Sequence, residues 1–387
     1  MKAPLCLSLM VLSLAPAARA QSQKASVESH LDALFSSVAQ EDAPGLAVLV
    51  RKDGRALFER GYGVRDLHTK TPIDPQTNFR LASFTKQFTA MTIMLLVHDG
   101  KLRYDQTLTK IFPEFPAYGK NVTVRNLLNH TGGLPDYEDL MDAAEKPKGS
   151  SIWSPEHQIQ DDEVLALLEK ESKGKSAPGT SWAYSNSGYV VLGLIVAKVS
   201  GQPYGDFLRA RIFAPLGMKH TIVYQKGKNE VTNRAFGYSK EGDAFKETDQ
   251  SPTSATLGDG GIYSNLEDLA RWDDALRNHT LLSAAEMQPA LTPAKLASGS
   301  PTLWPQAQAS DDNLHPGKPV AYGFGWFLDP FGRHARMWHY GATTGFRTVI
   351  DRFTRDSLTI IILANRTDLD PEALALKTAD TLLPVEH

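Results

Sequence analysis

The sequence predicts an α/β (α+β) fold: an antiparallel β-sheet built from both chain termini, flanked by helices, with an inserted, mainly helical lobe. Three observations predict it. A hairpin pattern lies near the start, three strand-like runs lie near the end, and the long middle reads as helices and loops.

The chain opens with Met1-Lys2-Ala3, an apolar stretch over residues 5–14, and Ala18-Arg19-Ala20 before Gln21. A basic start, a short apolar core and a small-x-small site describe a secretory signal peptide over residues 1–20, leaving a mature domain over 21–387. The stretch is too short to span a bilayer. Cys6 is the only cysteine and lies inside the leader, so the expected mature chain has neither a disulfide nor a thiol nucleophile. The chain carries 41 basic and 44 acidic residues; without Lys2 and Arg19 the balance is 39 to 44, a net charge of −5. That mild acidity gives no electrostatic reason to expect nucleic acid or an anionic membrane as a partner. The apolar run at 190–199 is ended by Lys198 and Ser200 and reads as a buried helix, so no stable membrane insertion is expected. The predicted location is periplasmic or secreted.

Residues 25–38 have helical spacing. Residues 46–51 and 56–63, joined through Lys52-Asp53-Gly54, read as a β-hairpin with an Asp-Gly turn. Residues 336–340, 346–353 and 357–363 are strand-like, and 371–383 read as a closing helix. The sheet lobe is therefore expected over about 25–80 and 320–387, and the helical lobe over about 81–319. Residues 294–319, rich in Ser, Pro, Gln, Gly and Asp, read as a long surface loop.

Ser83-Phe84-Thr85-Lys86 opens an apolar run that stops at Asp99-Gly100. In a helix, residues three apart share a face, which places Ser83 beside Lys86 in the first turn. A serine hydroxyl becomes a useful nucleophile when a neighbouring base takes its proton, and an amine can help do so. Backbone N–H groups of the same turn lie near the reacting oxygen. The pattern recurs at Ser172-Lys173-Gly174-Lys175, in a polar stretch without an apolar run, and there reads as a loop.

Tyr184-Ser185-Asn186 is the second element. A tyrosinate or lysine-coupled phenol can act as general base, and the Asn186 amide can hold a substrate carbonyl. The bland alternative packs Tyr184 in the core and uses Asn186 or Ser187 as a cap for a helix starting near Tyr189. The same tripeptide at Tyr263-Ser264-Asn265 precedes a helix-start signature and reads as structural. The third element is His339-Tyr340-Gly341. A glycine there lets backbone approach substrate, and the N–H of Ala342 together with that of Ser83 could form an oxyanion hole. His130-Thr131-Gly132 reads as a helix stop, and His315-Pro316-Gly317 as part of the polar loop.

In order, interval and setting, these elements resemble the serine β-lactamase and penicillin-binding-protein superfamily. The likeness is nearest to the class C β-lactamase-like branch with its D-alanyl-D-alanine carboxypeptidase, D-aminopeptidase and esterase relatives. The stretches 126–135, 215–218, 260–264, 268–272 and 322–326 share the resemblance, which covers nearly the whole mature chain. It implies Ser83 as the acylated nucleophile, Lys86 as its proton-handling neighbour, Tyr184 as general base and later acid, and Asn186 as a substrate contact. It also implies that His339, Gly341 and Ala342 line the substrate, with no metal and no cofactor. His339 stands where the commoner pattern has lysine, which binds a substrate carboxylate as a fixed cation. Histidine near neutrality is partly charged at most, and the departure favours peptidase, amidase or esterase substrates over β-lactams. The implied activity is acyl-enzyme hydrolysis of amides or esters, chiefly small D-amino-acid peptides or cell-wall fragments. A non-catalytic peptidoglycan-peptide-binding protein on the same scaffold is the alternative of another class. Whether Lys86 or Tyr184 takes the first proton stays open, because their titrations would be coupled.

Overall fold

The computed structural model describes residues 15–305 and 317–383. The chain divides into two units, residues 1–38 and 39–387. The first contains helix α1, Ala15–Ser36, which runs through the cleavage point expected after Ala20. Everything below concerns the second unit.

Asp53 and Gly54 both have positive φ, 52° and 75°. Positive φ at both central residues of a two-residue loop is what a type I′ hairpin requires, and the Asp-Gly pair supplies it. Strands β1 (Leu46–Lys52) and β2 (Arg55–Tyr62) therefore pair directly, Lys52 opposite Arg55. The C-terminal part adds β3 (Arg336–Thr343), β4 (Phe346–Phe353) and β5 (Leu358–Ala364). The five strands form one antiparallel sheet in the order β3-β4-β5-β1-β2. β5 joins the two chain ends, with Leu46 opposite Ala364 and Lys52 opposite Leu358. All seven β5 residues are buried, which accounts for a run that is apolar at every position but Thr359.

The helical lobe contains α2 (Lys86–His98), α3 (Asn186–Ser200) and α4 (Leu266–Arg277), and α5 (Pro371–Leu382) closes the chain against β5 and β4. α2 packs on α3, and both bury nearly every side chain on their apolar runs. The lobe also holds short strands that the sequence does not announce. Phe79–Arg80, Ile262–Ser264 and Ile222–Val223 form a three-stranded sheet, and Tyr238–Glu241 pairs with Ala244–Glu247. Runs of two to four residues are too short to establish a period.

The loop expected over 294–319 is partly a packed element. Lys295 pairs with Pro301, Leu303 pairs with Pro319, and Trp304 is buried against Trp182 and Phe327. Residues 306–316, including His315, lie outside the described residues. Among the described residues no helix is long and apolar enough to cross a membrane.

One buried acid ties α4 to the sheet. Asp273 accepts from Arg51 of β1 (2.6 Å), Arg352 of β4 (2.8 Å) and Thr359 of β5 (2.9 Å). Removing its charge takes the counterion from buried Arg352 and leaves Arg51 with Asp274 alone (2.9 Å), a change that costs about 3–5 kcal/mol. Asp273→Asn is expected to lose that much in urea unfolding. A loss under 1 kcal/mol would show that the contact is not what fixes α4.

Candidate active site

Ser83 occupies a single 3-10 turn, Ala82–Thr85, that leads straight into α2. The sequence places Ser83 in the first α-helical turn; the observed turn is tighter. In a 3-10 turn, residues three apart eclipse, so the Ser83–Lys86 adjacency survives the change. Ala82, just before the serine, has φ 49°. That backbone is left-handed in a residue with a side chain and stores about 1–3 kcal/mol.

Lys86 is fully buried. A buried ammonium is tolerated only when paired or hydrogen-bonded, and here it has a complete set of acceptors. Nζ donates to Ser83 Oγ (2.9 Å), Asn186 Oδ1 (2.9 Å) and the Asp259 carbonyl (3.1 Å). It also lies 4.8 Å from the centre of the Tyr184 ring and 5.6 Å from that of Tyr189. In its neutral form the same amine can keep two N–H groups on Asn186 and Asp259 and turn its lone pair to the Ser83 hydroxyl. That is the geometry a base needs.

The second element is positioned by a cap. Ser185 Oγ accepts from Gly188 N, which makes Ser185 the cap and Asn186 the first residue of α3. The helix thus starts three residues before the expected Tyr189. Half-buried Tyr184, immediately ahead of the cap, stacks at 6.5 Å on Phe327.

The third element is the edge strand β3. Phe327 and Trp338 exchange both backbone hydrogen bonds, so the polar backbone groups of Trp338 point out of the sheet edge. The two-residue period sends those of Tyr340 and Ala342 the same way. Gly341 is where the strand meets the nucleophile turn. A Cβ there would lie 2.0 Å from the Leu81 carbonyl oxygen and 2.4 Å from Thr348 Oγ1, and Thr348 donates to that same carbonyl at 2.9 Å. Only glycine permits this approach, and it sets the open edge at Ala342 beside the Ser83 turn.

His339 differs from its expected role. Strand alternation turns the side chain inward, and it is fully buried. Its Nδ1–H donates to the Tyr340 carbonyl (2.6 Å), leaving Nε2 to accept from the Tyr322 hydroxyl (3.0 Å). Burial, and then the nearby Lys86 charge, push its pKa down to about 3. The imidazole is thus enclosed and held neutral rather than exposed and titrating. Tyr322 and the Asp259 carbonyl are contributors that the sequence reading missed. Their signals were the Tyr322-Gly323 and Gly260-Gly261 pairs, which mark close backbone approaches without saying to what.

The duplicated motifs separate cleanly. Ser172 is exposed and Lys175 pairs with Asp139 on the surface (2.9 Å). Tyr263 is buried in the small sheet, and Asn265 caps α4 by accepting from Asp268 N (2.9 Å). Among the described residues no group of three or more His, Cys, Asp or Glu side chains is placed to hold a metal. A cavity of about 510 Å³ lies between the end of α4 and the far end of β3, and none of the expected site residues lines it.

An antiparallel sheet and helical lobe that bring Ser-x-x-Lys, Tyr-x-Asn and a glycine-bearing edge strand to one point define an active-site-serine scaffold. The family described as Beta-lactamase matches residues 27–383. The chain belongs to this family, within the serine β-lactamase and penicillin-binding-protein superfamily. It is similar to penicillin-binding protein 4* of Bacillus subtilis (strain 168), 32% identical over 376 residues that cover 93% of this chain and 77% of the relative. In structure it resembles D-amino acid amidase from Ochrobactrum anthropi SV3, with a TM-score of 0.71 and 26% identity over 92% of this chain and 99% of that one. It also resembles the octameric penicillin-binding protein homologue from Pyrococcus abyssi, with a TM-score of 0.74 and 25% identity over 93% and 77%. Members of this family are serine hydrolases, amidases and esterases among them.

His339 and His130 are both held neutral, His130 by burial first and then by Lys86. An unfolded imidazole takes up a proton below about 6.5, and these folded ones do not. The stability gained by keeping them neutral is thus fully present above that pH and is lost as pH falls below it, for His339 toward about 3. Asp161 and Glu372, raised by burial to about 8 and about 7, work in the opposite direction: their contribution is full at low pH and is lost as pH rises. The imidazole resonances are therefore the measure, rather than an unfolding midpoint. Both are expected to stay at neutral-ring shifts from pH 8 to pH 5, and a midpoint near 6.5 for His339 would contradict the enclosed placement.

Proposed function

We propose that this chain is a serine hydrolase that forms an acyl-enzyme on Ser83 and cleaves amide or ester bonds, acting on small D-amino-acid-containing peptides or cell-wall fragments. The observation that carries the reading is the buried Lys86 amine, bonded at once to Ser83 Oγ and Asn186 Oδ1. A purely structural lysine gains little by placing its one mobile charge against a serine hydroxyl and under a tyrosine ring.

In this reading the Ser83 proton passes to Lys86 or Tyr184 as Oγ bonds to the substrate carbonyl carbon. The carbonyl oxygen becomes an oxyanion and is held by the N–H groups of Ser83 and Ala342. Losing one such donor typically costs about 10²–10³ in kcat. The carbon–nitrogen or carbon–oxygen bond then breaks, and the retained proton goes to the departing amine or alkoxide. Water repeats the sequence, giving one proton to the base and leaving the acid product and free Ser83. Asn186, held on Lys86 through Oδ1, has its amide NH₂ available to orient the substrate's own carbonyl.

The enclosed, neutral His339 supports amide and ester substrates over those recognised by a free carboxylate, since the β3 position that carries lysine in the commoner pattern supplies no cation here. Similarity to a protein named D-amino acid amidase supports the D-amino-acid preference.

The test begins with intact-mass spectrometry after exposure to a fluorophosphonate. One adduct is expected on the wild-type protein and none on Ser83→Ala. Turnover of D-phenylalaninamide, L-phenylalaninamide and p-nitrophenyl acetate then ranks the substrate classes, with Tyr184→Phe expected to lose about 10²–10⁴ in rate. A folded wild-type protein that takes no adduct would sink the hydrolase reading in favour of a binding protein.

Export belongs to the same proposal and is supported by the leader-like residues 1–20. N-terminal sequencing of the protein recovered from its host is expected to start at Gln21. A start at Met1 would remove that part.

A further inference from the structure

His130 reads from the sequence as the end of a helix, and it does follow the short helix Val124–Leu128. Three contacts go beyond that role. Its carbonyl accepts from Ala183 N at 3.0 Å. Its Nδ1 accepts from Ser185 N at 3.1 Å. Its ring lies 4.4 Å from the Tyr184 ring, tilted by 37°. One residue thus holds the backbone on both sides of Tyr184 and the face of Tyr184 itself.

A simple helix stop would not be built this way. His130 adopts φ 61°, a conformation that glycine takes without strain. The ring is almost fully buried. Because Ser185 N–H donates to Nδ1, the ring proton sits on Nε2, and Nε2 has no hydrogen-bond partner. The ring as a whole lies among those of Tyr184, Tyr189 and Tyr322, at 4.4, 5.1 and 4.6 Å between centres. Burying a polar ring with one nitrogen unpaired works against stability, so what the arrangement gains must be the placement of Tyr184.

We propose that His130 is a positioning residue for Tyr184: by clamping Ala183 and Ser185 and stacking on the phenol ring, it fixes the hydroxyl relative to Ser83 and Lys86. The inference rests on the proton-transfer role of Tyr184 given above. Asn is the informative replacement. Its Oδ1 stands as many bonds from Cα as the Nδ1 of histidine, so it can accept from Ser185 N, and asparagine tolerates left-handed backbone. Gly tolerates that backbone equally well and has no acceptor.

The experiment measures kcat and KM for p-nitrophenyl acetate, the rate of fluorophosphonate labelling, and the melting temperature. The proteins are wild type, His130→Asn, His130→Gly, Tyr184→Phe and the His130→Gly/Tyr184→Phe double variant. His130→Gly is expected to lower kcat about 100-fold, the scale of a displacement near 1 Å, with KM within about threefold, while His130→Asn recovers most of the loss. In the Tyr184→Phe background, His130→Gly is expected to cost almost nothing further, because residues acting as a unit are not additive. Equal losses in the Asn and Gly variants, or a full additional loss in the double variant, would reduce His130 to a structural stop. Should His130→Gly not fold, a folded His130→Asn protein that has lost more than about 30-fold in kcat overturns the proposal on its own. If Tyr184→Phe keeps full activity while Ser83→Ala is dead, the fault lies in the role given to Tyr184 and not in the clamp.

Discussion

A lysine ammonium with no solvent exposure is the constraint around which this molecule is organised. Taking Lys86 out of water is affordable only if each N–H finds an acceptor, and the three acceptors come from three distant stretches: Ser83, Asn186 and Asp259. Each stretch is held by its own device. The 3-10 turn holds Ser83, the Ser185 cap fixes the start of α3 at Asn186, and Asp259 leads into the small strand that pairs with Phe79–Arg80. Completing the hydrogen bonds of one buried ammonium and bringing these three stretches together are here the same requirement.

The sheet meets this cluster from the other side. β3 reaches the Ser83 turn only because it lies at the sheet edge, and β4, β5 and β1 must already be paired for that edge to exist. Leu46 opposite Ala364 closes the sheet between the two ends of the domain, and Asp273 locks α4 to three of its strands. The Thr348 hydroxyl and the missing side chain of Gly341 then bring strand and turn together at Leu81. The approach of Ala342 to the Ser83 turn thus depends on contacts across almost the full length of the sequence.

Much of this was legible in the sequence because it was written in local patterns. The Asp53-Gly54 hairpin, the three C-terminal strands and the closing helix are periodic or turn-coded, and each falls within a few residues of its expected place. The Ser83–Lys86 adjacency was legible as well, since a three-residue spacing carries its own geometry, whereas the cap of α3 is Ser185 and not the Asn186 or Ser187 that the sequence suggests. What could not be read was direction. Nothing local says that the His339 ring turns inward to Tyr322 rather than outward to substrate; that depends on which face of β3 the helical lobe covers. Trp304 was hidden for a related reason, since a Pro- and Ser-rich context conceals a single aromatic anchor. The role of a backbone carbonyl such as that of Asp259 leaves no mark on residue identity at all.

The buried environment also decides what kind of proton chemistry the site can run. His339 and His130 flank the cluster, and both are driven to the neutral form by burial and by Lys86. Neither adds a competing positive charge, and neither exchanges protons in the neutral range. In the proposed mechanism that leaves the amine of Lys86 and the phenol of Tyr184, 4.8 Å apart by amine to ring centre, as the groups to carry the Ser83 proton. The two enclosed imidazoles stand beside that pair as neutral rings. Where the resemblance leads to a lysine, His339 thus brings no second cation beside Lys86.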